Sequence, residues 1–364
     1  MFVAGLLKVI RMNCYIRSAA CISPQKTFDN PRFLEKPVEY HFNRLNCIEP
    51  DYNDIIDPRA IRRMSRIIKI SVAAAFAALK HAGVSSPDAI ITGTAYGCLE
   101  DTGTFLTGII EENEEPNSPM AFVQSTHNTI GAQIALLLRS HCYNNTFVSG
   151  GASFENALQD AMMGLAEDKD CILVGGMDEI TETSYTILRR TGLYKLAPGS
   201  NLNLFDSKSK GTIAGEGAAF FLLANTPSVT DLAHLDSVAT CYKPADSTEI
   251  EQWIGSFLAD QSIRFSDIDL LITGKNGDPK SDSIYSQLEK SVFDGLPVCT
   301  YKNLCGEYPT STAFVLWVAA NIVKKNTIPA ALNQTGEAKE KINKVLIYNH
   351  YQNVHHSLIL LSAC

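Results

Sequence analysis

The sequence has no CxxC pair, no HExxH or HxxxH pattern, and no apolar run near the ~20 residues that a membrane span requires. The first two absences remove the common signatures of zinc and redox sites. The ten cysteines are scattered through 364 residues, which reads as reduced thiols of a cytoplasmic protein, not as a disulfide framework. Basic residues are the minority, 31 Lys+Arg against 39 Asp+Glu, for a net charge of −8. That balance argues against non-specific nucleic-acid binding, which rests on phosphate neutralisation. The start, MFVAGLLKVIR, is apolar for only about ten residues and has no charged stretch ahead of them, unlike a secretory signal. Residues 1–11 read as an extension from an upstream start, with Met12 opening the natural first strand. No cofactor is expected.

What is present is an ordinary globular composition, 45% apolar and 19% charged. At roughly 150 residues per domain the length fits two units or one double unit. Residues 88–97 read DAIITGTAYG and residues 267–278 read DIDLLITGKNGD. Each has an acid, a short apolar run, then Thr-Gly. Gly93 and Gly274 stand 181 positions apart, half the chain. A helical stretch precedes each strand (68–83 and 249–260), and another follows (128–138 and 310–324). Matched elements at half-length spacing predict two copies of one α/β unit, each with a mostly parallel sheet.

Residues 171–174, ending in Gly175-Gly176, predict a buried central strand. Residues 153–167 predict a helix, with Ala157, Leu158, Ala161, Met162 and Leu165 at helical spacing. Ser153 reads as its N-cap, with Glu155 in the positive first turn. Residues 218–223 read as another buried strand, and 345–348 with 357–361 as a closing antiparallel pair. Residues 226–247 read as the bridge between halves, which places the units at 12–225 and 226–364.

The block NLFDSKSKGTIAGEGAAFFLL (203–223) resembles the β-ketoacyl synthases, condensing enzymes of the thiolase superfamily. Their signature stands here as Phe205-Asp206, Gly211 and Gly215-Glu216-Gly217-Ala218. RRMSR (62–66), ILVGGMDE (172–179), TYKNLCGE (300–307) and NTIPAALN (326–333) follow in the family's order. The resemblance spans nearly the whole chain from Met12. It implies a thiolase-like α/β fold, two βαβαβαββ halves in a five-layer αβαβα arrangement, usually dimeric. The internal echo is what such a fold requires.

The family's chemistry uses a cysteine at a helix N-terminus to take the acyl chain from a carrier-protein thioester. Two histidines then donate hydrogen bonds to the malonyl thioester as CO₂ leaves. The nucleophile motif aligns on residues 149–153 and puts Gly151 at the cysteine, where no acyl-enzyme can form. The first histidine falls on Asn276, or on Lys275 if the alignment slips by one. The second falls on Glu307, whose ionised form would repel a malonyl carboxylate and a developing enolate. The family's C-terminal glycine-rich loop is HYQNVHH (350–356), without a glycine. Four departures on the four chemical elements point to a chain without the catalytic triad.

Other side chains near these positions have structural explanations. Cys142 precedes an expected strand and Cys171 lies inside one, so both read as structural thiols. Ser149 and Ser153 flank the turn. His127 precedes a helix and reads as a helix-start residue. His355 and His356 alternate across a strand and read as structural. Lys302 and Glu216 match family positions that form a buried ionic link near the active site. Arg59, Arg62, Arg63, Arg66 and Lys69 have the spacing of one helical face. The resemblance makes them a candidate dock for an acidic acyl carrier protein.

The resemblance implies a non-catalytic homologue of the chain-length-factor type. Such a subunit partners an active ketosynthase in fatty acid, polyketide or polyene-type biosynthesis. Chain-length factors usually carry glutamine at the nucleophile position. Gly151 cannot hydrogen-bond, so any decarboxylation owed to that glutamine is not expected. Two alternatives stay open. One is an active 3-oxoacyl synthase with an unrecognised nucleophile; the other is a homodimeric protein that binds an acyl chain.

Overall fold

A computed structural model describes residues 13–114, 119–197, 199–337 and 339–364. The reading of residues 1–11 as an extension lies outside them. The first part of the chain runs β1 (Tyr15–Ile22), α1 (Pro58–Ile61), α2 (Arg66–Ala82), β2 (Ala89–Gly93), α3 (Leu99–Glu111), α4 (Pro119–Gln124), α5 (Thr129–Leu138), β3 (Tyr143–Phe147), α6 (Ser153–Glu167), β4 (Cys171–Asp178), α7 (Glu182–Arg190) and β5 (Gly217–Ala224). The second part runs β6 (Ala233–Tyr242), α8 (Ser247–Asp260), β7 (Leu270–Thr273), α9 (Pro279–Leu288), β8 (Val298–Thr300), α10 (Lys302–Cys305), α11 (Thr312–Lys325), β9 (Asn333–Thr335), β10 (Lys344–Tyr351) and β11 (His355–Ser362).

The strands lie in the order β3-β2-β4-β5-β1-β6-β11-β10-β7-β8-β9. Five strands on one side repeat five on the other. β2 is parallel to β3 and β4, as β7 is to β8 and β10. β4 is antiparallel to β5, as β10 is to β11. A short antiparallel contact between β1 and β6 joins the two sets. The bridge expected at 226–247 is therefore itself built around a central strand, β6. The echo also matches differently from its helices: α9, between β7 and β8, occupies the place of α5, and α11 occupies that of α6. The extra helices α3 and α4 ahead of α5 offset the repeat, so equal spacing in sequence paired the wrong helices.

Period-two alternation sorts the strands into layers. Ile90, Leu173, Phe220 and Leu222 face α2 and α5. Ile91, Val174, Phe221 and Leu223 face the opposite way, into a core shared by α6 and α11 with Ile272, Ile347 and Ile359. Leu271, Leu346 and Leu360 face α8 and α9. The result is the expected five layers, with α6 and α11 in the middle. Eleven of the fourteen residues of α11 are buried, as a helix covered on every side must be. Ile328 and the 331–332 pair pack on the same core. The N-terminal turns of α6 and α11 approach the carboxyl ends of the parallel strands, where open α/β sheets present their sites.

Candidate functional site

The turn before α6 is a single 3₁₀ turn over Gly150–Ala152, with Gly150 at φ 59°. It brings the helix start one position earlier than an N-cap at Ser153 would. Ala152 holds the N-cap, and Ser153 is the first helical residue. The Ser153 hydroxyl turns back instead, donating to the Gly150 carbonyl at 2.8 Å and accepting from the Ser149 N–H at 2.9 Å. A Cβ added at Gly151 would lie 2.5 Å from Tyr351 Cβ, 3.0 Å from its Cγ and 3.1 Å from His355 Cβ. The atoms nearest the nucleophile position thus belong to a tyrosine and one histidine, not to a thiol.

Of the two residues offered for the first histidine, Lys275 turns away to Glu289 at 2.6 Å. Asn276 lines the site. Its Nδ2 donates to Glu307 Oε2 at 2.6 Å, and Lys302 Nζ lies 2.7 and 2.8 Å from the two Glu307 oxygens. All three are buried. The expected Lys302–Glu216 link is therefore corrected. Lys302 pairs with Glu307, two residues past the end of α10, because Gly306 at φ 73° bends the chain back on itself. The correction changes the electrostatics too. Lys302 sits in contact with Glu307, so the repulsion expected of that carboxylate is offset by a neighbouring cation.

Glu216 has its own partner. Arg66 clamps it with Nη1 and Nη2 at 2.8 and 2.6 Å, and the Cys47 and Ile180 N–H groups complete four donors. This removes Arg66 from the basic surface. The helical-face reading of Arg59, Arg62, Arg63, Arg66 and Lys69 also fails in geometry, because α1 ends at Ile61 and α2 starts at Arg66. Arg59, Arg62 and Arg63 are exposed; Arg66 and Lys69 are only partly so. The Gly215-Glu216 and Gly306-Glu307 pairs lie against each other. A Cβ on Gly306 would stand 2.6 Å from Gly215 Cα, so both backbones need glycine to approach.

Asp178 ties the site together. It accepts from Thr94 Oγ1, the N–H groups of Ala95 and Tyr96, and the N–H and hydroxyl of Thr310. Burial pushes it up to about 6 against these donors. The segment that replaces the family's glycine-rich loop is a tight hairpin connection of three residues, 352–354, between the paired Tyr351 and His355. Gln352 and Asn353 stand at φ 55° and 54°, and Val354 N–H closes it onto the Tyr351 carbonyl at 3.1 Å. Tyr351 OH lies 3.0 Å from Tyr96 OH. An open cleft of about 550 Å³ ends on Asn276 and Glu307, with Thr212, Ser281, Gln352 and Asn353 in its walls and Lys210 and Lys280 at its rim.

The remaining candidates stay apart from this centre. Cys142 is half-buried before β3, and Cys171 opens β4, its thiol pushed up by burial. His127 is exposed, in the turn before α5 and against Gly97. His356 is buried, with Nδ1 2.9 Å from Tyr348 OH, and burial holds it down at about 4. His355 faces the other way, toward Gly150. Sequence reasoning missed Tyr351 and Tyr96. It also passed over Cys98, a buried thiol at the N-cap of α3. Burial, then Asp101 and Glu179, push that thiol upward, the opposite of an activated nucleophile.

A family profile described as "Beta-ketoacyl synthase, N-terminal domain" matches residues 22–227, more than half of the sequence. The chain belongs to the β-ketoacyl synthase family. Solved structures agree on the thiolase-like fold. One is a β-ketoacyl synthase from Burkholderia phymatum STM815, at TM-score 0.82 and 15% identity, covering 97% of this chain and 100% of that one. Another is the ishigamide ketosynthase/chain length factor, at 0.79 and 18%, with the same coverage. A third is a ketosynthase in complex with its chain length factor from Xenorhabdus doucetiae, at 0.74 and 15%, covering 97% and 98%. In a direct comparison with curated protein sequences nothing matches. Among the described residues no helix is long and apolar enough to cross a membrane.

Proposed function

We propose that this chain is a non-catalytic family member that pairs with an active ketosynthase, as a chain length factor does, in fatty acid, polyketide or polyene-type biosynthesis. The observation that carries the reading is Gly151: the nucleophile position has no side chain, and Tyr351 stands where one would extend. The two histidine positions hold Asn276 and Glu307, already engaged with each other and with Lys302. Such a site can bind, but it has no group to accept an acyl chain.

A surface for a partner is in place. β3 is an edge strand, so one row of its backbone groups is open to pairing by another chain. Around it stand exposed Leu106, Ile110, Phe122, Leu136 and Val148. Exposed apolar side chains on elements beside an open sheet edge suit an interaction face. Two of the solved neighbours are titled for a ketosynthase together with a chain length factor, and a further one for a type II PKS acyl-carrier protein in complex with its ketosynthase. We read Arg59, Arg62 and Arg63 as the carrier-docking residues and the two halves as 12–225 and 226–364.

The test is to purify the chain alone and with an intact Cys-His-His ketosynthase of the same source, then supply acylated and malonylated carrier protein. The expected result is a stable heterodimer that forms product, with no acyl label on this chain. An acyl label on a residue of the isolated chain would show an active synthase. A stable homodimer that ignores the ketosynthase would show a binding protein instead.

A further inference from the structure

We propose that Tyr351 is a fixed plug in the side-chain space of position 151, so that loss of the nucleophile is locked in by a second residue. The inference rests on reading Gly151 as the nucleophile position. Its geometry is independent of any partner. Carbon atoms in contact sit about 3.5–4.0 Å apart. A Cβ at 151 would lie 2.5 Å from Tyr351 Cβ, so even the smallest side chain there collides with the root of the tyrosine, not with its movable ring.

The plug is held from three directions. Tyr351 is the last residue of β10 and is paired in register with His355 across the hairpin. Only three residues, Gln352, Asn353 and Val354, separate the two paired positions, and Val354 N–H closes onto the Tyr351 carbonyl, so the backbone has little slack to withdraw. The phenol oxygen meets Tyr96 OH, and the Tyr96 N–H is bound by Asp178. Gln352 and Asn353, the next two residues, line the cleft. Tyr351 thus connects the cleft wall to the turn before α6. A cysteine restored at 151 would meet this side chain before it met any thioester.

The test is a double-substitution cycle of Gly151→Ala and Tyr351→Gly in the full chain. Tyr351→Ala is unsuitable because it keeps the colliding Cβ. With Tyr351 present, Gly151→Ala should lower the melting temperature by about 4 °C, the scale of an overpacked core site in a chain this long. In the Tyr351→Gly background most of that loss should vanish. Equal losses in the two backgrounds, or failure to fold in both, would overturn the plug. Gly151→Cys supplies a second readout, iodoacetamide labelling of the 151 peptide followed by mass spectrometry. Labelling should be absent with Tyr351 and rapid with Tyr351→Gly; equal rates would also overturn it. None of these results bears on heterodimer formation, so this inference and the subunit reading fail separately.

Discussion

Burial acts on single side chains in opposite senses according to the sign of the charge they would carry. Glu155, in the first turn of α6, is fully buried and its carboxyl is pushed up to about 7. It faces the hydroxyls of Thr312 and Ser357 but makes no hydrogen bond of ordinary geometry. A carboxyl raised in the folded state favours folding below its unfolded pKa and loses that advantage as pH rises toward its folded value. His356, held at about 4, has the reverse effect and weakens the fold as pH falls below 6.5. A comparison of Glu155→Gln with the parent cancels His356 and isolates the carboxyl. The variant should gain stability relative to the parent between pH 4.5 and 7, by up to about 3 kcal/mol, and then level off. Melting curves across that range check it; a difference independent of pH would contradict it.

At the scale of elements, local propensity located most helices and strands, and tertiary contact decided how they are used. The helix at 153–167 and the strand from Cys171 stand where periodicity put them. Only the N-cap of α6 differs, Ala152 in place of Ser153, because a 3₁₀ turn over Gly150–Ala152 leads into the helix and residue preference does not reveal it. The basic run shows the same limit. Its spacing described one helix, but the backbone breaks between Ile61 and Arg66, and Arg66 is drawn inward by a glutamate 150 residues away. Reversing Arg62 and Arg63 to Glu should therefore weaken carrier binding and leave the fold intact; binding of the parent should fall as salt rises, and the variant should lose that salt dependence. Titration at two ionic strengths checks this, and unchanged affinity at low salt would remove the docking role. Arg66→Ala should instead unfold the chain more easily, by roughly 3 kcal/mol, because Glu216 would be left buried and unpaired.

At the scale of the molecule, the duplicated architecture was legible, because Thr-Gly strands leave local marks. Tyr351 and the Lys302–Glu307 pair were not. The first depends on a contact spanning 200 residues, and the second on a chain reversal at Gly306 that spacing alone does not show. The exposed flank of the sheet belongs to the same scale. Ile110→Glu with Leu136→Glu should abolish association with a ketosynthase while the chain stays folded. Light scattering on a sizing column would detect it, and a complex of unchanged mass would place the interface elsewhere.

The middle layer has a consequence for how the chain can come apart. α6 and α11 arise from different halves, yet each lies between both groups of strands, so neither half owns a closed interior. Cleavage near residue 226 would strip one wall from each product. Separated pieces would expose oily faces and clump, and only recombination would restore slow amide exchange in those two helices. The fold carries one unit twice, yet it should melt as one cooperative body.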